Sequence, residues 1–391
     1  MAKGKGGFIG HDGLNAPDEP TNVSGTAGDT QVDVSFTSPT DVGGSAITSY
    51  LVTDSTKAHT ATGSSSPVTV TGLTNGTSYT FNVWAINAFG WSVASDASDA
   101  VTPAAAIAVF GGGNTAAGNS NVLQSVSISS LGNTTDFGDL DQGTTTEMAA
   151  CASSTRGLFG GGIHAGSRKD SISYITFASA GNSVDFGNLT VARNRLGSCG
   201  SSTRGLFGGG TNGSDQNVVD YVTIASTGNA TDFGDLTSSR SRLAAASSST
   251  RGLFIGGDGV NTVDYVTIAT TGNATDFGDL LTTGGLLAAC SGSGRAVAAG
   301  GQSSDVIQYF TIATTGNATD FGDLTAGETN QFAGASSSTR GLFGGGEVSF
   351  TQTNAISYIT ILSTGNSSDF GDLLAANSGI SACSSAHGGL A

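Results

Sequence analysis

Four short runs, Arg242-Leu-Ala-Ala-Ala-Ser247, Arg251-Gly-Leu-Phe-Ile-Gly-Gly257, Val263-Asp-Tyr-Val-Thr-Ile268 and Ala274-Thr-Asp-Phe-Gly-Asp-Leu280, decide the fold of most of this chain. Each is short and largely apolar, and the breaks between them are rich in Ser, Thr, Gly and Asn, the pattern of brief strands joined by tight turns. The last run carries an Asp-Phe-Gly-(Asp/Asn)-Leu box. It recurs at Asp136, Asp185, Asp232, Asp276, Asp320 and Asp369, at spacings of 49, 47, 44, 44 and 49 residues. The second run recurs at Arg156, Arg204 and Arg340, with looser copies from Ile107 and Arg295.

Six copies of a four-strand unit with a period of about 45 residues fit the blades of a β-propeller. The unit resembles the kelch repeat: an apolar strand ending in paired glycines, a Tyr-bearing third strand and an aromatic on the fourth, with Phe277 and its equivalents where kelch repeats usually carry Trp. The ends of the array supply a test. The first copy begins directly at its second strand, Ile107 to Phe110, whereas the last runs on through Ser378-Gly-Ile-Ser-Ala-Cys-Ser-Ser385, a spare first strand. Pairing the two would complete the sixth blade and leave no open inner edge. The expected fold is therefore all-β, with a six-bladed kelch-like propeller over 104–391 closed by the C-terminal strand. Residues 387–391 receive no role.

Upstream, residues 17–103 alternate apolar and polar residues along Gln31 to Phe36, Ala46 to Val52, Pro67 to Val70 and Thr77 to Ile86, so each strand buries one face. Leu73, followed six residues later by Tyr79, resembles the tyrosine corner of β-sandwiches. With Pro17-Asp-Glu-Pro20 and Asn87-Ala-Phe-Gly90, the segment resembles a fibronectin type III domain; Phe36 stands where that family usually has Trp. Residues 1–16, Gly-rich with Lys3 and Lys5, form an arm that orders against a partner.

Composition narrows function. Acidic residues outnumber basic ones 30 to 14, a net charge of −16 that repels phosphate backbones, so no nucleic-acid partner is expected. No run of 18 apolar residues exists, and two lysines at the start precede no apolar stretch, so neither a membrane span nor a Sec leader is expected. Cys151, Cys199, Cys290 and Cys383 occupy one repeat position that Ala246 and Ala335 fill in other copies; a site that accepts Cys or Ala holds a small buried side chain, hence free core thiols.

The remaining motifs carry little chemistry. Asp-Phe-Gly also marks the kinase magnesium site, but six copies without a catalytic or phosphate loop do not make a kinase; the six phenylalanines are read as filling between blades. The Gly-Gly-Gly runs lack a following Gly-Lys-Ser/Thr and read as strand ends. Acid pairs such as Asp232 with Asp235 offer hard oxygen ligands, yet Asn188 replaces one of them and no fuller loop follows, so no metal is assigned. His11, His59, His164 and His387 are scattered, and no catalytic residue or cofactor is expected. The sequons at Asn229 and Asn273 fall on a repeated turn and read as turn chemistry. Variation between copies concentrates in 163–170, 211–217 and 347–354, which places candidate binding residues at His164, Arg168, Lys169, Asn212, Asp215, Gln216, Glu347 and Gln352.

The arm, the sandwich and the Thr-Gly-Asn-Ala-Thr-Asp-Phe-Gly-Asp-Leu repeats together resemble structural proteins of tailed bacteriophages, particularly marine cyanophages. The resemblance implies a virion surface protein in a tail fibre, baseplate or capsid decoration, assembled in the host cytoplasm. It would be held to other virion proteins through residues 1–16, present in many copies, and would bind host surface glycans or neighbouring subunits. A lectin-like or glycan-processing propeller, and a bacterial surface adhesin, are the alternatives from other classes.

Overall fold

The computed structural model describes residues 14–302, 304–325, 327 and 329–390, so most of the expected arm, 1–13, lies outside the described residues. The chain divides at residues 105 and 106 into two compact units. Strands dominate both, and a 3-10 turn at Gly388–Leu390 is the sole helical element among the described residues.

The first unit is a sandwich of two antiparallel sheets. One orders Thr21–Ala27, Gln31–Thr37 and Val68–Thr71; the other orders Thr60–Gly63, Ser49–Asp54, Phe81–Asn87 and Gly90–Trp91. The alternation read from the sequence faces inward as Val32, Val34, Val52, Val70, Phe81, Val83 and Ala85, all fully buried. Phe36 packs its ring 4.6 Å from that of Tyr50, so the smaller aromatic still fills the core. The tyrosine corner forms: the Thr74 N–H donates to the Tyr79 hydroxyl at 3.1 Å. The second expected strand starts at Ser49 rather than Ala46, and the strands Thr21–Ala27 and Thr60–Gly63 were not anticipated. Beyond Trp91 the chain pairs with Phe81–Asn87 in a three-residue rhythm: Ser92, Ser95 and Ser98 accept the N–H groups of Ala85, Val83 and Phe81 on their hydroxyls at 2.9–3.0 Å. Side chains here do the work of a regular ladder, satisfying backbone donors that burial would otherwise orphan.

The second unit contains six four-stranded antiparallel sheets, here numbered in chain order. The fourth sheet, Ala244–Ser247, Arg251–Ile255, Thr262–Thr267 and Thr275–Asp279, shows the plan. In the first sheet, Ile107–Gly111 pairs with Ser381–Ser384, with Phe110 opposite Ala382 and Val109 opposite Cys383. The spare strand at the end thus fills the vacancy at the start. The first strands of the second to sixth sheets and Ser381–Ser384 neighbour one another in sequence order, and the last neighbours the first of the series, Ala149–Ala152.

The box sits on each outer strand, where the register slips by one residue. Asp220 opposes Asp232 and Val219 opposes Gly234, so Phe233 is left over as a bulge and turns inward. The phenylalanines fill the junctions as expected: Phe277 of the fourth sheet lies among Ala296, Ala298, Phe310 and Ile312 of the fifth. Such burial contributes roughly 1.5–3 kcal/mol per ring. The glycine that follows has a second reason to be there. A Cβ on Gly234, at φ 145°, would lie 2.5 Å from the Gly272 carbonyl oxygen of the next sheet. That approach lets a clasp form: Gly272 N–H donates to Phe233 O at 2.8 Å, Ala274 N–H to Asp235 O at 2.7 Å, and Asp235 N–H to the Asn273 side chain at 3.1 Å. The same three bonds recur at every junction, including sixth to first through Gly132, Asn133 and Thr134. Asn229 and Asn273 are therefore turn residues whose amides are engaged, in keeping with the reading of their sequons.

Packing at the inner strands is matched in pairs. The thiol of Cys383, Cys151, Cys199 or Cys290 rests on a second-strand glycine of the next sheet, respectively Gly157, Gly205, Gly252 or Gly341, where a Cβ would lie 2.6–2.7 Å from sulfur. Where Ala246 and Ala335 replace the thiol, the facing positions are Ala296 and Ala108. All four cysteines are free and buried, and burial pushes the thiols of Cys199 and Cys290 up to about 12.

Candidate functional site

In every sheet the second strand ends, the third begins and the first begins at the same edge; in the second sheet Gly160 lies opposite both Ala149 and Ile172. Gly209 and Gly210, at φ 66° and 91°, show how the paired glycines end a strand and turn the chain into the variable loop. Those loops therefore share a face with the residues that enter the first strands.

The entering residues form a ring that was not expected. Glu147, Arg195, Arg242, Leu286, Gln331 and Gly379 all adopt left-handed φ values of 57–64°. Each N–H donates to the carbonyl of the preceding member: Arg195 to Glu147, Arg242 to Arg195, Leu286 to Arg242, Gln331 to Leu286, Gly379 to Gln331, and Glu147 to Gly379, at 2.8–3.2 Å. The circle closes on itself. For an L-residue the left-handed conformation costs roughly 1–2 kcal/mol, which glycine avoids, and five of the six members are not glycine. Nothing in the residue types announces the ring. A positional signal existed: each member lies ten or eleven residues after its box aspartate.

The six ring residues rim an open depression floored by Met148, Leu196, Leu243, Leu287, Phe332 and Ile380. Rim charges are compensated in place. Arg195 donates to Glu147 at 2.8 Å and Arg242 to Asp258 at 2.8 Å, while the Gln331 amide donates to Glu347 at 3.3 Å. The Nε atoms of Arg195 and Arg242 have no hydrogen-bond partner.

Several of the expected binding residues connect to this rim. Arg168 Nε donates to Asn194, whose amide donates to Glu147. Glu347 accepts from Gln331, and Gln352 donates to Asn114 and to Ser378, the neighbour of Gly379. Lys169 is tied through its backbone to Gly162 and Arg193. His164 instead bonds the Thr144 carbonyl at 2.9 Å. Asn212, Asp215 and Gln216 close their own turn, the Gln216 amide donating to Asn212 Oδ1 at 3.1 Å.

Deeper in the unit, Arg193 and Arg240 are buried ion pairs with Asp220 and Asp264, each at 3.0 Å. Burial lowers the pKa of both guanidiniums and the partner carboxylate opposes it. The corresponding position on the fifth sheet is Gln308, which accepts the Leu281 N–H at 2.8 Å. These pairs orient the loops leading to the rim: the Arg193 carbonyl accepts from Gly162 and its N–H donates to Lys169.

A second depression, lined by first-strand residues that include Ala150, Ser198, Ala245, Ala289, Gly334 and Ala382, receives His387. Its Nε2 bonds the Ala152 carbonyl at 2.7 Å and its Nδ1 accepts the Gly389 N–H at 3.0 Å, which fixes the neutral Nε2–H tautomer. Burial pulls its pKa down, partly offset by the bond to Ala152. Gly389 is so close to its surroundings that a Cβ would lie 1.9 Å from the Gly200 oxygen. Of the segment left without a role by the sequence, residues 387–390 are thus packed against the inner strands.

No curated protein matches the chain. The fibronectin type III domain family matches residues 18–101, the stretch that holds the two sheets, the inward valines and the tyrosine corner. The first unit contains a fibronectin type III domain at residues 18–101.

Proposed function

We propose that the six sheets are the blades of a closed, kelch-like propeller and that the chain is a non-enzymatic recognition protein displayed on a virion surface. The observation that carries the recognition reading is the face at which the loops 163–170, 211–217 and 347–354 meet the ring. There the backbone repeats while the residue type differs between copies: Glu147, Arg195, Arg242, Leu286, Gln331 and Gly379, with only arginine used twice. A fixed scaffold with differing side chains on one face is how binding surfaces are built. The pairing of Ile107–Gly111 with Ser381–Ser384 and the clasp from the sixth sheet to the first support the closed ring.

In this reading the arm 1–16 holds other virion proteins, the fibronectin type III domain is a spacer, and the propeller meets host surface glycans or adjacent subunits. Many copies on one particle would raise avidity by about 10²–10⁴ over a single weak contact. Mass spectrometry of purified virions should find the protein at stoichiometric levels, and its absence would remove the virion assignment. A glycan array probed with the full chain tests the recognition half: binding to cell-surface saccharides is expected, and a blank array would remove it.

A further inference from the structure

The ring poses a question of its own. Gly379 shows that the backbone conformation at a ring position needs no side chain, and glycine would adopt it without strain. Yet Arg195, Arg242, Leu286 and Gln331 hold large side chains there, and all four reach the same depression. Backbone strain retained where a cheaper residue would serve points to a role for the side chain itself. We infer that the depression rimmed by the ring is a binding site for a single neutral sugar residue at the end of a glycan. This deepens the recognition reading and rests on it.

The chemistry of the rim selects that ligand class. Arg195 and Arg242 each have a carboxylate partner at 2.8 Å, so the charged arc presents planar donors and acceptors with little net charge. Gln331 adds a donor and an acceptor on the opposite arc, next to Leu286. Planar groups of this kind match the adjacent hydroxyls of a sugar ring, and a floor that includes Leu243 and Phe332 suits its C–H face. An anionic ligand would have to displace Glu147 or Asp258 from their arginines.

The test uses the full chain with free galactose, glucose, mannose and N-acetylglucosamine, and with glucuronic acid as the charged comparison, read by saturation-transfer NMR and titration calorimetry. Binding of at least one neutral sugar is expected, weakened by about tenfold or more in Arg242→Gly and Gln331→Gly, with melting temperatures kept or raised. Arg242→Asn, which removes the guanidinium but tolerates a left-handed backbone, provides the same readout should the glycine variant not fold. Unchanged affinity in these variants overturns the inference, as does preference for glucuronic acid. Loss of binding in Asn212→Ala with Asp215→Ala and Gln216→Ala, but not in the rim variants, moves the site to the loops and leaves the recognition reading standing. Absence of monosaccharide binding by the unaltered chain overturns the inference, while the glycan-recognition reading falls only with a blank glycan array.

Discussion

Four junctions of the second unit seat a thiol on a glycine, and two seat alanine on alanine. The backbone is the same in both kinds; what differs is which partner supplies the volume. The fourth and sixth sheets have Ala246 and Ala335 in place of the thiol, and the sheets that follow have Ala296 and Ala108 in place of the glycine. Core positions in this repeat therefore change in pairs across a junction. The same holds deeper in, where Arg193 accompanies Asp220 and Arg240 accompanies Asp264, while on the fifth sheet uncharged Gln308 takes the place of the aspartate and accepts the Leu281 N–H.

The largest effect should come from breaking a charged pair. Asp220→Ala leaves Arg193 buried and unpaired, and is expected to cost about 3–5 kcal/mol, whereas Gln308→Ala strands only neutral donors and should cost about 1–3 kcal/mol. Chemical denaturation of the two variants would show them equal if pairing did not matter. Next, Gly341→Ala pushes a methyl against Cys290 and should cost about 1–3 kcal/mol. Adding Cys290→Ala recreates the alanine junction and should recover most of that loss. A double-mutant cycle that came out additive would dismiss the matched-volume account.

A third comparison concerns the outer part of the junctions. Arg156, Arg204, Arg251, Arg295 and Arg340 each lie 4.3–4.9 Å from the ring centroid of a third-strand tyrosine and donate to a carbonyl of the next sheet. The first sheet has Ile107 at this place, packed among the apolar residues that include Phe177. Arg251→Ala should cost about 1–2 kcal/mol, the sum of a cation–π contact and a hydrogen bond. Arg251→Lys, which keeps charge but loses the planar fork, should recover only part of it; full recovery would show that charge alone suffices.

The smallest effect is set by pH. His387 is neutral when folded, with its pKa below the unfolded value, so the unfolded chain takes up a proton first as acid is added. Its contribution to stability is complete above about pH 6.5, the unfolded value, and is lost as pH falls toward the folded pKa. Melting temperature should decline over that window, less steeply in His387→Gln. Parallel curves for the two proteins would remove His387 from the account.

Much of this architecture was legible because strands, turns and a recurrent box are local statements about residue type. The missing first strand before Ile107 and the spare one around Cys383 even specified a long-range pairing. Cys-or-Ala tolerance pointed to small buried positions, though not to the glycines that face them, because that match spans adjacent repeats. The arginines were visible only as markers, since their tyrosines sit a strand away and their carbonyl acceptors in the next sheet. The ring escaped altogether. Glu147, Arg195, Leu286 and Gln331 share no chemistry; they share a backbone angle, and a left-handed φ leaves no trace in a residue that does not favour it.

Near-identical repeats in a gene invite slippage during copying, and a solenoid can gain or lose a unit with little harm. The circle of N–H groups from Glu147 to Gly379 withdraws that freedom. Every member both gives and receives one bond, so there is no end at which a unit can be added. A chain with five or seven units would have to re-form the circle at a different radius and carry its clasps and matched core pairs with it. The circle ties the number of units to six through backbone alone, whatever residue type each unit places on it.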